Sequence, residues 1–188
     1  FDEDRNGLTL GEGSGFIVME SERIAVKAGK KILCEITGYG NACDAYHQTA
    51  SSPGGEGAYL AMKQALISSG ITADKIDYIN AHGTGTKNND LSEGKAIERL
   101  FGDLPVKFSS TKSFTGHTLG AAGAVEAVLS VIAINRRWIY PNLRFSRPMS
   151  ELSIAPEKDL LEDFRIRNLM SNSFGFGGNN TSLIFSEC

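Results

Sequence analysis

The sequence predicts an α/β protein, a mixed sheet layered with helices, and two patterns carry that prediction. From residue 59 onward short apolar runs alternate with longer amphipathic segments, as strand–helix units do. Two of the short runs lead into histidine-containing loops, at the strand ends where α/β sheets collect their functional groups.

Each element has a local reason. Gly15-Phe16-Ile17-Val18-Met19 is an apolar run that reads as a buried strand, and residues 21–28 read as a short helix closed by Gly29. Residues 31–39 alternate Ile32, Cys34 and Ile36 with Leu33, Glu35 and Thr37, the period of a second strand. Residues 41–57, rich in Ser, Gly, Pro and Asn, read as loop. In residues 59–69, Leu60, Ala61, Ala65 and Leu66 share one side of a helix that Gly70 ends. A strand at 77–80 precedes a helix at 91–101, with Asn89 or Asp90 as N-cap. A strand at 105–109 precedes a long helix of small residues at 118–135. After a stretch marked by Pro141, Pro148 and Pro156, residues 168–173 and 181–185 read as two strands around a glycine turn.

Composition excludes several classes. The net charge of -3 offers no clustered basic surface, which argues against a nucleic-acid partner. Cys34, Cys43 and Cys188 have neither disulfide nor metal-ligand spacing, so reduced thiols and no metal are expected. The opening Phe1-Asp2-Glu3-Asp4 is acidic where a secretory leader is basic. The most apolar stretch, 119–134, contains Glu126 and glycines and reads as too short to span a bilayer. A cytoplasmic protein without a membrane partner is the expectation. A start at Phe1 that runs directly into structured sequence predicts a piece of a longer chain.

The chemistry concentrates around two histidines. His82 follows a strand in Asn-Ala-His-Gly-Thr-Gly-Thr (80–86), and His117 follows another in Ser-Ser-Thr-Lys-Ser-Phe-Thr-Gly-His-Thr (109–118). His117 is expected at the N-terminus of the small-residue helix, where the helix dipole favours a neutral ring that donates a hydrogen bond. Glu126 lies within that apolar helix, where a carboxylate is costly unless paired; Lys112 is the nearest cation. Gly175-Phe176-Gly177-Gly178 tops the hairpin after Phe174, and its glycines leave N–H groups as potential oxyanion donors. Gly11-Glu12-Gly13-Ser14-Gly15 echoes a dinucleotide loop but precedes a strand, so that reading fails on context.

The ordered set of Phe-Asp-x-x-Arg-x-Gly with Leu-Gly-Glu-Gly-Ser-Gly (1–15), Asp-Ala-Tyr-His-Gln-Thr (44–49), the two histidine motifs continuing through Gly-Ala-Ala-Gly-Ala-Val-Glu (120–126), and Asn-Ser-Phe-Gly-Phe-Gly-Gly (172–178) closely resembles the C-terminal part of β-ketoacyl-acyl-carrier-protein synthases, most of all the synthase II type. The resemblance spans essentially the whole chain. It implies the thiolase-like fold, two similar α/β halves with the active site at their junction. Residues 1–30 are then the end of the N-terminal half and residues 31–188 the C-terminal thiolase-like domain.

The resemblance also implies roles. The family's cysteine nucleophile takes an acyl chain from acyl carrier protein; malonyl-carrier protein then loses CO2, and the enolate attacks the acyl thioester. His82 and His117 match the histidines that stabilise the enolate, and Lys112 and Glu126 match the pair that sets charge and orientation around His117. Phe174 matches the gating phenylalanine, with Gly175 and Phe176 beside it. Thr84 and Thr86 match threonines that bond the phosphopantetheine arm carried by the substrate, His47 and Thr49 line the same channel, and Asp90 supports the loop. No intrinsic cofactor or metal is implied. The expected partners are acyl carrier protein, the N-terminal half and a second copy in a homodimer. None of the three cysteines has the nucleophile's context, so this chain alone is expected to be inactive. Asn179-Asn180 departs from the family's usual Thr-Asn. The rival readings are a non-condensing subunit similar to a chain-length factor, which the intact His82, Lys112 and His117 oppose, and a thiolase-shaped binding module.

Overall fold

The computed structural model describes residues 1–188. Five strands form one mixed sheet: β1 (Glu35–Cys43), β2 (Tyr78–Asn80), β3 (Lys107–Ser109), β4 (Asn168–Phe174) and β5 (Asn179–Ser186), in the order β1-β5-β4-β2-β3. β2 runs parallel to β3 and β4, whereas β4–β5 and β1–β5 are antiparallel. The helices are α1 (Glu22–Lys27), α2 (Glu56–Ser69), α3 (Lys87–Phe101), the single turn α4 (Lys112–Thr115) and α5 (Ala122–Arg136).

The period of two along each strand makes two cores. Ile79, Met170 and Ile184 turn toward one face, where they pack with Met62 of α2 and with Ile97 and Phe101 of α3. Their neighbours Tyr78, Leu169 and Phe185 turn the other way, against Ala127, Ala133 and Ile134 of α5. The result is a helix–sheet–helix sandwich. Close approach of α2 to β1 requires glycine: a Cβ on Gly40 would lie 2.1 Å from the Ala61 carbonyl oxygen.

Several boundaries differ from expectation. Gly15–Met19 forms no strand, because it has no ladder partner; Phe16, Val18 and Met19 stand exposed beside an apolar groove of about 720 Å³. β1 starts four residues later than expected and runs into the expected loop, because it follows the ladder that β5 offers. α3 starts at Lys87, capped by Thr86, whose hydroxyl accepts from the Asn89 N–H at 3.3 Å, rather than by Asn89 or Asp90.

The expected long helix is broken: Leu119 has φ 52°, residues Leu119–Ala121 form a 3-10 turn, and α5 begins at Ala122. By length and composition alone the 18-residue stretch Leu119–Arg136 would reach across a membrane. In the fold it carries the buried Glu126 and packs against β4.

Candidate active site

The site forms where β2 and β3, neighbouring parallel strands, release their chains at the same end of the sheet. His82 leaves β2 and is buried; His117 leaves the α4 turn after β3 and is half-buried. Their rings meet edge to face with centroids 5.3 Å apart, and the buried Phe174 ring lies 5.8 Å from His82.

The hydrogen-bond partners assign the tautomers. The Lys112 ammonium donates to Nδ1 of His82 at 3.2 Å, and the Leu119 N–H donates to Nδ1 of His117 at 3.2 Å. A nitrogen that accepts carries no proton, so each neutral ring has its proton on Nε2. Burial pushes the His82 ring well below the ordinary histidine pKa, and Lys112 and His117 add to the effect. Burial, then Lys112, lowers His117. The site therefore presents two neutral imidazole donors.

Lys112 is itself buried and bonded to Glu126. Burial raises the Glu126 carboxyl above the usual carboxylate range, and the Lys112 ammonium opposes that rise. The other Glu126 oxygen faces the Ser173 hydroxyl at 3.5 Å, which ties α5 to the residue preceding Phe174. The pair was expected around His117; the structure places Lys112 on His82 instead, and its field reaches both rings. At His117 the small-residue helix opens with the 3-10 turn Leu119–Ala121, whose first N–H donates to the ring, while burial and Lys112 keep that ring neutral.

Thr84, Lys112, His117 and Asp90 line a cleft of about 540 Å³. The Thr84 and Thr86 hydroxyls lie 3.0 Å apart, and Thr86 also caps α3, so its oxygen has a structural duty that the sequence reading lacked. Asp90 is fully buried; it accepts from the Gly85 N–H at 3.1 Å, as a loop support should, and contacts the Phe1 nitrogen.

His47 and Thr49 are exposed, and no hydrogen bond joins either to the two imidazoles; the Thr49 N–H donates to Nδ1 of His47 at 3.2 Å. Their loop is instead tied to the glycine turn. Gly177 N donates to the Gln48 carbonyl at 2.7 Å, and Asp44 N to that of Gly178 at 2.9 Å. This corrects the view of the turn's glycines as free oxyanion donors. Gly175 N is engaged by Asn179 O, Gly177 N by Gln48 O and Gly178 N by Gly175 O. Phe176 points outward and is 72% exposed. At the departure from the family pattern, Asn179 accepts from the Asn41 side chain at 2.9 Å, a local contact only.

Sequence reasoning missed Glu93. Fully buried on α3, it accepts from His82 N at 2.9 Å, Gly83 N at 2.8 Å and the Asn172 amide at 3.1 Å, so one carboxylate holds the His82 loop against β4. The signal was present: Asp90, Glu93, Ile97 and Phe101 follow helical spacing on one inward stripe.

Comparison with known proteins agrees with this geometry. Residues 33–146 match the family model described as the β-ketoacyl synthase C-terminal domain. The chain is 48% identical over 186 residues to 3-oxoacyl-[acyl-carrier-protein] synthase 2 of Rhizobium meliloti, covering 98% of this chain and 44% of the relative. It is 44% identical over 191 residues to the chloroplastic 3-oxoacyl-[acyl-carrier-protein] synthase II of Arabidopsis thaliana, covering 99% and 35%. A type II polyketide ketosynthase, solved with its acyl carrier protein and bound to a hexaketide, superposes with a TM-score of 0.94 at 29% identity over 100% of this chain and 47% of its own. The chain spans less than half the length of these proteins. With its fold, histidine loops and family match in agreement, the chain belongs to the β-ketoacyl synthase family and carries that family's C-terminal, thiolase-like domain.

Proposed function

We propose that this chain is the C-terminal half of a β-ketoacyl-acyl-carrier-protein synthase and supplies the decarboxylation centre of its Claisen condensation. The observation that carries the reading is the pair of neutral imidazoles, each with Nε2–H unclaimed, set over a buried Lys112–Glu126 pair. Decarboxylation needs donors aimed at one thioester oxygen that do not surrender their protons to it, and two neutral rings meet that need.

In the proposed reaction, an N-terminal-half cysteine attacks the acyl-carrier-protein thioester and releases the carrier thiol. The malonyl thioester oxygen then accepts hydrogen bonds from His82 and His117. The C–CO2 bond breaks, its electron pair forms the enolate, and the oxygen charge is held by the two N–H groups. The enolate carbon attacks the acyl thioester, and the cysteine leaves as thiolate. Phe174, beside His82, gates the acyl pocket, and its N–H serves the acyl oxyanion.

Thr84, which lines the cleft, and Thr86 next to it hold the phosphopantetheine arm, with His47 and Thr49 further out along its path. Residues 1–30 end the N-terminal half, and residues 31–188 form the C-terminal domain. The partners are acyl carrier protein, the other half and a second copy in a cytoplasmic homodimer; no metal or intrinsic cofactor takes part. The relatives' names, which include acyl carrier protein, and the carrier-bound ketosynthase support the first of these.

The test is product formation from malonyl- and acyl-carrier protein by the full-length enzyme, with CO2 release measured in parallel. Ketoacyl product that disappears in both His82→Ala and His117→Ala supports the reading. Wild-type binding of carrier protein without CO2 release replaces it with the binding-module reading.

A further inference from the structure

The segment ahead of α1 has a role that neither the strand reading nor the nucleotide-loop reading captured. Residues 1–15 run as a strap across both histidine loops. Phe1 is buried edge-on against Phe108 with ring centroids 5.0 Å apart. The Asp2 carboxylate accepts from Ser146 N at 2.6 Å, Ser146 Oγ at 2.9 Å and Arg147 N at 3.0 Å, which pins the start of the strap to the loop after Pro141.

The strap then bonds each histidine loop in turn. Gly7 N donates to the Gly85 carbonyl at 3.0 Å in the His82 loop. At the second loop, His117 N donates to the Thr9 carbonyl at 2.8 Å and Gly11 N donates to the His117 carbonyl at 3.1 Å, so His117 is held by both of its own backbone groups.

Glycines of the strap and of both histidine loops line these seams. A Cβ on Gly11 would lie 2.1 Å from the Thr115 carbonyl oxygen, and one on Gly116 would lie 2.8 Å from Gly11 N. At the first seam, a Cβ on Gly85 would lie 2.8 Å from the Gly7 carbonyl oxygen. Further along, a Cβ on Gly15 would meet the Ala124 backbone at 2.5 Å, so the chain lies directly on the small residues of α5. Between them Gly13 is different: its added Cβ would meet only the Thr118 and Val125 methyls, at 3.7 and 3.9 Å. Backbone thus meets backbone at Gly11 and Gly15, with ordinary contact in between.

We propose that the strap is a positioning element for the two imidazoles, and that Gly11 is the positioning residue that sets the distance of the His117 loop. It touches no substrate; it acts through the His117 backbone. The inference rests on the decarboxylation centre proposed above.

The experiment compares the full-length enzyme with its Gly11→Ala and Gly13→Ala variants, measuring CO2 release from malonyl-carrier protein and, separately, acylation of the nucleophile. In Gly11→Ala, kcat for decarboxylation falls roughly hundredfold, the scale of an ångström-sized misplacement. KM stays within about twofold, because an interaction made only in the transition state has been lost. Acylation continues, and Gly13→Ala matches wild type in both assays. Where Gly11→Ala does not fold, Asp2→Ala removes every acceptor of the anchor without adding bulk and lowers decarboxylation by roughly tenfold, again with acylation kept. Wild-type decarboxylation in Gly11→Ala or, where that variant does not fold, in Asp2→Ala overturns the proposal, as does an equal loss in Gly13→Ala. A wild-type enzyme that releases no CO2 instead overturns the decarboxylation centre itself, so the two failures are distinct.

Discussion

The ammonium of Lys112 donates to Nδ1 of His82 at 3.2 Å while it is also bonded to Glu126, so one buried cation fixes both the tautomer of a histidine and the charge beneath it. Lys112→Met removes the donor and leaves Glu126 to take a proton. The His82 titration should then move up toward the ordinary value, burial still holding it below. Decarboxylation should fall by about 10²–10³, the scale of losing a group that organises charge stabilisation. Histidine NMR titration alongside CO2 release checks this; an unmoved His82 titration would show that the pair is structural only.

His117 is the more accessible donor. His117→Ala in the full-length enzyme should abolish most decarboxylation while the nucleophile still accepts an acyl group. Mass spectrometry of the acyl-enzyme, run beside the CO2 assay, separates the two steps; unchanged condensation would sink the assigned role.

Glu93→Gln keeps the shape of the side chain but turns an NH2 toward one of the N–H donors that the carboxylate now accepts from, at His82, Gly83 and Asn172. An unsatisfied buried donor costs about 1–3 kcal/mol. The urea midpoint should drop accordingly, and the freed His82 loop should slow decarboxylation. A stable variant with wild-type kinetics would count against the clamp.

Both histidines titrate below the usual value near 6.5, chiefly through burial. As pH falls below that value the unfolded chain takes up protons that the folded chain refuses, so stability declines on the acid side. For the same reason decarboxylation should hold its rate below the ordinary histidine pKa. A pH–rate profile over about pH 5–8 measures this; an acid limb centred above 6.5 contradicts the assigned protonation states.

Phe16, Val18 and Met19 are 88, 88 and 70% exposed beside the apolar groove. Contiguous apolar surface of this kind marks an interface. The chain expressed alone should bind a hydrophobic dye strongly, and a protein that restores the N-terminal half should not. Dye binding as weak as that of a closed monomer would remove the N-terminal half from this face.

The sequence by itself determined the α/β class, the helix–strand alternation and the two histidine loops, because these follow from local periodicity and from glycines at the ends of apolar runs. It also brought Lys112 and Glu126 together, since an unpaired carboxylate inside an apolar helix is too costly to leave alone. Only the tertiary structure decided which histidine Lys112 serves, because that contact spans 30 residues of sequence and depends on how β2 and β3 lie side by side. The same holds for the turn at Leu119 that delays the start of the expected helix to Ala122, and for Glu93, whose partners come from a loop and from β4. Gly11, Gly13 and Gly15 looked alike in sequence. What separates them is the distance to another part of the chain, a quantity that no local pattern contains.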